Sequence, residues 1–542
     1  MVLPFPVKVK ISHGNLARLW NSPLAGLFFL FLAFCIGFAF RYIGFFTADE
    51  GDNIAIGFLF SKGSLLYRDV FTHHMPFPYF WIAAVVKFIP SIKAVRLSVL
   101  VFQLAAFALV MISTRSYGPT GLAALVWSVI GHHFYANMAL YHVFSGAALV
   151  VVFTVTLIAA TRQSPLTRLE LIVLGISAAI ALLSDPVTIF LITIAVIALV
   201  LSRTGLKRAA LAILSLGAVL AFFFLYLIFT RSLDDFYRAV ILFNTTTYGQ
   251  YYDSSPAHLL NIPGLLLKGL WIFDAGKWTQ PEMLFISGDY PPLVRYLLGW
   301  FIYRLSLIAF SLLLLFRRQW LAAVFVYLFA AGTLIRSDGF FRQIPFVLVS
   351  LIAAAWFIFD AFKPGEREND GAKNFRYNLP SFVRPLVGSV IGFFFFWFVV
   401  STLLYRFHNQ NTLSYFDRFG QYESRTAEIK AHTCNQEVAL GYFPGNPLIY
   451  FYTGFRPVSK YVYLWPWVAE IGLPEVISSL QTEKAIVFID KDTSIWGNSA
   501  RVYLAELIDY LDANYILTGG FYLSPSLASD CKDFTSMRRE VR

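Results

Sequence analysis

Long apolar runs separated by short polar segments fill most of residues 1–404. About eleven of these runs approach the ~20 residues that a helix needs to cross the hydrocarbon core of a bilayer. The pattern therefore predicts a polytopic α-helical membrane protein. The predicted spans cover approximately 24–44, 95–113, 120–137, 142–161, 169–184, 187–202, 209–230, 296–316, 319–335, 345–361 and 386–404.

Three longer segments, at 45–94, 231–295 and 405–542, interrupt or follow the predicted spans. The first contains apolar residues at helical spacing, which is typical of helices lying in the membrane interface. The last is typical of a soluble α/β domain, so we predict a membrane module over 1–404 and a separate domain over 405–542. The elements predicted in this domain are strands at 448–452, 485–489 and 515–517 and helices near 412–431 and 500–512.

Basic residues are distributed unevenly between the two sides of the predicted bundle. With a cytoplasmic N-terminus, the cytoplasmic segments contain 16 Lys and Arg, whereas the short loops on the other side contain only Arg336 and Arg342. Because cytoplasmic loops are enriched in basic residues, this distribution predicts that orientation and places the three longer segments on the non-cytoplasmic face. The 16 residues are Lys8, Lys10, Arg18, Arg115, Arg162, Arg168, Arg203, Lys207, Arg208, Arg317, Arg318, Lys363, Arg367, Lys373, Arg376 and Arg384.

The composition supports a membrane protein and argues against a nucleic-acid partner. Of the 542 residues, 58% are hydrophobic and only 14% are charged, unlike a typical soluble domain. The net charge is +11, but residues 405–542 contain 13 basic and 15 acidic residues, so the positive charge lies in the membrane module. Basic loops between spans mark topology and contact anionic lipids, which makes membrane lipids the expected partners.

The three cysteines fall in two different parts of the chain. Cys35 lies in the first apolar run, where the preceding Phe34 does not fit a signal-peptidase site, so we predict an uncleaved first span. Cys434 and Cys531 lie in the segment that we place on the non-cytoplasmic face. They are a candidate disulfide, with two buried thiols as the alternative.

The most informative stretch follows the first span, at residues 47–81. It begins with Asp49, Glu50 and Asp52 directly beside the membrane and later contains His73 and His74. Carboxylates next to an apolar span are partly desolvated, which is costly unless they have a function. The alternative is an acidic turn that caps a helix.

These residues resemble the GT-C superfamily of integral-membrane glycosyltransferases. The likeness rests on the acidic pair after the first span, on Gly63-x-x-x-Tyr67 and on a proline-containing turn into an aromatic helix. Protein O-mannosyltransferases and the aminoarabinose transferases of lipid A are the most similar members. Related enzymes commonly have Lys-Pro-Pro where this chain has His74-Met75-Pro76. The family has many spans, a catalytic Asp in the first outer loop and often a C-terminal outer domain.

The resemblance implies an inverting transfer of a sugar from a polyprenyl-phosphate donor, with Asp49 as the general base. Glu50 would orient the acceptor or a basic partner. One carboxylate must take the proton of the attacking hydroxyl, and the departing phosphate needs cations nearby. The candidate phosphate-binding residues on the same face are Arg68, His73, His74, Lys277, Arg336 and Arg342.

Several of these residues keep a second interpretation. Arg336 and Arg342 also suit headgroup anchoring, and Lys277 is equally a candidate for an acceptor or secondary site. Asp185 is another candidate for that site, although Ser184-Asp185-Pro186 is an ordinary turn signature.

The histidine pair, together with His132, His133, His142 and a carboxylate, leaves a divalent metal open as a cofactor; ordinary backbone contacts are the alternative. In the C-terminal segment, Tyr450, Tyr452, Trp465 and Trp467 either stack on sugars or belong to the core.

Two functions of other classes stay open. One is a transporter or flippase for a lipid-linked or amphipathic solute, and the other is an O-antigen-type polymerase or ligase. Transporters concentrate polar residues near the bilayer midplane, whereas this chain concentrates them at one membrane surface. We therefore favour a glycosyltransferase with a lipid, glycan or protein acceptor, in the bacterial inner membrane. The predicted topology is also consistent with the membrane of the endoplasmic reticulum.

Overall fold

The computed structural model describes residues 22–41, 47–134, 136–162, 164–251, 302–333, 344–361, 383–408, 416–434 and 436–531. Each of the eleven predicted spans corresponds to a helix. These helices are Pro23–Phe40, Ile92–Thr114, Tyr117–Ile130, Tyr141–Thr161, Arg168–Ser184, Ile189–Leu201, Gly205–Phe229, Ile302–Phe316, Trp320–Thr333, Ile344–Ala361 and Val383–His408.

Four of these helices are long and apolar enough by themselves to cross a membrane, and shorter apolar helices accompany them. The four are Pro23–Phe40, Ile92–Thr114, Tyr141–Thr161 and Gly205–Phe229. The prediction of a polytopic helical membrane protein is therefore confirmed, while the number of spans and their orientation stay predictions.

The helix Tyr141–Thr161 forms the centre of the bundle. Its most apolar 18-residue window is 94% buried, whereas the corresponding windows of Pro23–Phe40 and Gly205–Phe229 are only 17% buried. Apolar side chains that the protein leaves exposed on a membrane helix face lipid. These two helices therefore lie at the periphery of the bundle.

The predicted reversal at Ser184-Asp185-Pro186 is confirmed. One helix ends at Ser184, a single 3₁₀ turn covers Pro186–Thr188, and the next helix begins at Ile189. The Asp185 Oδ1 accepts the N–H of Val187 at 3.1 Å, as in an ordinary aspartate cap.

Two helices occupy the predicted interfacial segment 45–94. We call Thr47–Ser61 the acidic helix and Phe77–Phe88 the aromatic helix. A second polar segment is helical over Leu233–Phe236, Tyr237–Leu242, Phe243–Thr245 and Thr247–Tyr251, with the second of these wound as a π-helix.

The C-terminal region contains a five-stranded mixed sheet in the order β2-β1-β3-β7-β6. Its central strand β3, Ala485–Ile489, is parallel to β1 and antiparallel to β7. The other strands are β1 (Ala439–Phe443), β2 (Arg456–Pro457), β6 (Ile516–Thr518) and β7 (Phe521–Leu523), and a separate hairpin pairs β4 (Ser494–Ile495) with β5 (Asn498–Ser499). The helices of this region are Phe416–Ala431, Leu448–Thr453, Pro466–Thr482, Ala500–Tyr503 and Ala505–Asn514.

The prediction of a strand at 448–452 is wrong, because this segment is the helix Leu448–Thr453. A short run of apolar and aromatic residues fits either structure, and here the residues before it decide. Pro447 occupies the cap position, and the Asn446 Oδ1 accepts the N–H of Leu448 at 2.9 Å. The first strand instead precedes this turn, at Ala439–Phe443.

Two local features hold the C-terminal region together. Gly519 and Gly520, both with positive φ, form the two-residue turn between β6 and β7, a conformation that glycine adopts without strain. Cys434 and Cys531 form a disulfide with a Cα–Cα distance of 5.5 Å, so the pairing left open by the sequence is present.

Candidate active site around the acidic helix

The acidic helix presents its carboxyl groups in two directions. Asp49 and Asp52 are three residues apart and share one face, whereas Glu50 points to another. Acidic side chains in the first turn also interact favourably with the positive end of the helix dipole, which favours a helix start at this point of the sequence.

Glu50 forms a buried ion pair with Arg96 of the helix Ile92–Thr114. The Arg96 Nε donates to the Glu50 Oε1 at 2.8 Å and its Nη2 donates to Oε2 at 2.5 Å. The Arg96 Nη1 also donates to the carbonyl oxygen of Arg41 at 3.1 Å, at the end of the first membrane helix. Arg96 is thus a basic partner of the kind expected for Glu50, and a part for Glu50 in catalysis stays a prediction.

Asp52 is only 3% exposed, and its Oδ1 has no hydrogen-bond partner in the part of the chain that the structure describes. Burial, reinforced by the Asp49 carboxylate, raises the pKa of Asp52 well above its usual range. A neutral carboxyl group can donate a hydrogen bond as well as accept one. The shared face therefore combines a partly exposed carboxyl at Asp49 with a buried one at Asp52.

Tyr463 of the C-terminal region is electrostatically coupled to this pair. Burial first, and then the charges of Asp52 and Asp49 among others, raise the pKa of the Tyr463 phenol well above its usual range. The phenol is thus within electrostatic reach of both carboxyl groups. Its Oη is buried and has no hydrogen-bond partner among the described residues.

The loop after the acidic helix is held in one shape by Tyr67. This residue has a φ of +71°, an uncommon value for a bulky side chain. Its N–H donates to the Val70 carbonyl oxygen at 2.9 Å, and its Oη donates to the His74 carbonyl oxygen at 3.2 Å. Such conformations persist where the surroundings impose them, and they are frequent at functional sites.

Arg68, a predicted phosphate-binding residue, is already engaged within this loop. Its Nε donates to the Asp69 Oδ1 at 2.8 Å, and its Nη1 donates to the Thr230 carbonyl oxygen at 3.2 Å. The Arg68 side chain is 45% exposed. A phosphate would therefore have to compete with Asp69 for this guanidinium.

His73 and His74 lie in the loop between the acidic helix and the aromatic helix. Their ring centroids are 4.0 Å apart, His73 is 4.9 Å from Tyr248, and His74 stacks on Tyr141 at 4.7 Å. The Asn244 Nδ2 donates to the His73 carbonyl oxygen at 2.8 Å. The two histidines thus connect the loop after the acidic helix with the polar segment Leu233–Tyr251.

The other predicted polar residues lie elsewhere. Asp185 pairs with His142, with 3.6 Å between Oδ2 and Nδ1, inside the bundle. His132 packs beside Phe40 at 5.2 Å. Within the described ranges no group of three or more His, Cys, Asp or Glu residues could hold a metal ion. Lys277, Arg336 and Arg342 lie outside the described residues.

A cavity lies beside Arg96, between the helices Pro23–Phe40, Ile92–Thr114 and Tyr117–Ile130. Apolar side chains line part of it, and polar or basic groups line the rest. The lining includes Phe40, Arg41, Arg96, Leu100, Gln103, Leu104, Trp127, His132 and Asn137.

The C-terminal region packs directly on the acidic helix and its loop. Phe58 meets Phe451 edge to face at 5.3 Å, and the Phe71 N–H donates to the Lys460 carbonyl oxygen at 2.8 Å. A Cβ atom on Gly51 would lie 2.3 Å from the Asn446 Oδ1, so only glycine allows this approach. The C-terminal region therefore packs on the side of the acidic helix that carries Gly51 and Phe58.

Replacing Gly51 with alanine should weaken the packing of the C-terminal region on the acidic helix. The added methyl group must displace Asn446, which caps the next helix, and overpacking of this kind costs about 1–3 kcal/mol. We expect a lower melting temperature and faster proteolysis of the C-terminal region. Gly217→Ala is the matched control, because nothing lies within 4 Å of its Cβ position; equal behaviour of the two variants would contradict the close contact.

Sequence reasoning missed Arg96 and Tyr463. Arg96 lies inside a predicted span, and an unpaired charge there is costly, so its presence was a usable signal for a buried partner. Tyr463 stands in an aromatic run at 461–467 that looks like ordinary core. Nothing local in the sequence distinguishes Tyr463 from the rings around it.

Comparison with known proteins identifies the fold. No protein-family model matches the sequence, and no curated protein is significantly similar to it. Among solved structures, apo ArnT from Cupriavidus metallidurans is similar over 93% of this chain and 99% of its own, with a TM-score of 0.51 and 12% identity. ArnT bound to undecaprenyl phosphate, from the same organism, is similar over 91% of this chain and 95% of its own, with a TM-score of 0.49 and 10% identity. The chain therefore has the fold of ArnT, the GT-C enzyme that transfers aminoarabinose to lipid A.

Proposed function

We propose that this protein is an inverting membrane glycosyltransferase that moves a sugar from a polyprenyl-phosphate donor to a lipid, glycan or protein acceptor. The observation that carries the proposal is the Asp49–Asp52 pair on one face of the acidic helix, on which the C-terminal region packs through Phe451 and Asn446. The ArnT fold supports the same class of reaction.

Asp49 is the proposed general base. The acceptor oxygen attacks the anomeric carbon, the bond from that carbon to the phosphate oxygen breaks, and polyprenyl phosphate leaves with the electron pair. The proton of the acceptor hydroxyl passes to the Asp49 carboxylate. Asp49 is the more exposed carboxyl of the pair, so an acceptor hydroxyl reaches it more easily than it reaches the buried Asp52.

The membrane module supports a lipid donor. The cavity beside Arg96 combines the Arg41 side chain with apolar walls from Leu100 and Leu104. A phosphate on an isoprenoid chain needs both kinds of surface, because its head is anionic and its tail is apolar. The described residues supply a cation at Arg41 without any contribution from Lys277, Arg336 or Arg342.

The test is turnover of defined donors by the purified full-length protein. Polyprenyl-phosphate glucose, mannose, galactose and aminoarabinose are each supplied with a membrane-lipid extract as the acceptor source, and release of polyprenyl phosphate is measured. Release from one donor, with the sugar recovered in a new linkage of inverted configuration, is the expected result. Movement of intact donor across a vesicle membrane without cleavage would overturn the proposal in favour of a flippase.

A further inference from the structure

We propose that Asp52, Tyr463 and Trp467 form a subsite for the ring of a neutral sugar, so that the C-terminal region supplies part of the substrate-binding site. The inference rests on the proposed function and adds the residues that recognise the sugar. It also gives the C-terminal region a role in specificity.

The first support is a set of buried polar atoms without partners. The Asp52 Oδ1, the Tyr463 Oη and the Trp467 Nε1 are all buried, and none has a hydrogen-bond partner among the described residues. The three residues are 3%, 1% and 2% exposed. Because an unsatisfied buried polar group is destabilising, three such groups in one neighbourhood indicate a ligand that satisfies them.

The second support is their proximity. Asp52 and Tyr248 both lie within electrostatic range of the Tyr463 phenol. Tyr248 lies 5.7 Å from Trp467, measured between ring centroids. Trp465 connects the other two aromatic residues, at 4.6 Å from Tyr463 and 5.5 Å from Trp467. Tyr463, Trp465, Trp467 and Tyr248 thus form one connected group of aromatic rings.

The chemistry of these groups selects a sugar ring over the other parts of the substrate. A phosphate needs cationic partners, and an isoprenoid tail would leave all three polar atoms unsatisfied. A phenol, an indole N–H and a carboxyl group can each form a hydrogen bond with one hydroxyl of a sugar. The surrounding aromatic rings offer flat apolar faces for its C–H groups.

Tyr463→Phe tests the subsite, because it removes only the hydroxyl oxygen. We expect kcat/KM for the preferred donor to fall at least about tenfold, since a lost hydrogen bond to substrate is worth about 1.4 kcal/mol or more. The melting temperature should stay unchanged or rise, because the hydroxyl has no partner in the described fold. Tyr515→Phe is the matched control: its Oη donates to the Leu480 carbonyl oxygen at 2.7 Å, so this variant should lose stability and keep its activity.

Saturation-transfer NMR with methyl glycosides of the same sugars separates this inference from the proposed function. Binding to the wild type and loss of binding in Tyr463→Phe would support the subsite even if no donor is turned over. Normal kcat/KM and normal glycoside binding in Tyr463→Phe would overturn the subsite and leave the glycosyltransferase intact. A wild type that neither binds a glycoside nor turns over a donor would overturn both.

Discussion

Asp49→Asn is expected to lower the rate of donor turnover by about 10²–10⁴-fold, the range that a positioned general base contributes. The amide has nearly the shape of the carboxylate but cannot accept the proton of the attacking hydroxyl. Because the change is isosteric, the protein should fold normally. The measurement is kcat/KM for the donor identified in the panel, together with the melting temperature of the variant.

Asp234→Asn is the control for loss of one surface carboxylate. Asp234 is 70% exposed and pairs with Arg238, one helical turn away, so the activity of the variant should equal that of the wild type. Asp49→Asn with activity within a few-fold of the wild type would remove Asp49 from the mechanism. In that case the fold would still stand, and the base would have to be sought elsewhere.

Arg96→Met should produce the largest loss of stability, about 3–5 kcal/mol in the free energy of unfolding. The substitution leaves the Glu50 carboxylate buried without its guanidinium partner, and it also releases the carbonyl oxygen of Arg41. Equilibrium unfolding in mixed micelles measures the loss. We expect donor turnover to fall as well, because the ion pair fixes the helix that carries Asp49.

The double variant Glu50→Gln/Arg96→Met distinguishes the ion pair from simple packing. Removing both charges takes away the unpaired buried carboxylate, so the double variant should be more stable than Arg96→Met alone. Breaking the exposed Arg456–Glu483 pair provides the surface reference and should cost at most about 1 kcal/mol. A loss in Arg96→Met that is no larger than this reference would contradict the proposed positioning role.

Elements that depend on local patterns could be predicted from the sequence. Spans of about 20 apolar residues became helices, and the reversal at Asp185 lies where the turn signature stands. The strand Ala485–Ile489 was recognisable as a short β-branched run, whereas Leu448–Thr453 was not recognisable as a helix. Short aromatic runs fit both structures, and a contact from Asn446 decided between them.

The sequence by itself determined the class of the protein, because hydrophobicity, charge asymmetry and the acidic residues after the first span are all local properties. Once the helix Thr47–Ser61 is known, the spacing of Asp49 and Asp52 places both on one of its faces. Only the tertiary structure decided that Glu50 pairs with Arg96 and that the Tyr463 phenol comes within electrostatic range of Asp52. The physical reason is that contacts between distant segments are selected by packing and by partial satisfaction of buried polar groups, and neither leaves a periodic signal along the chain.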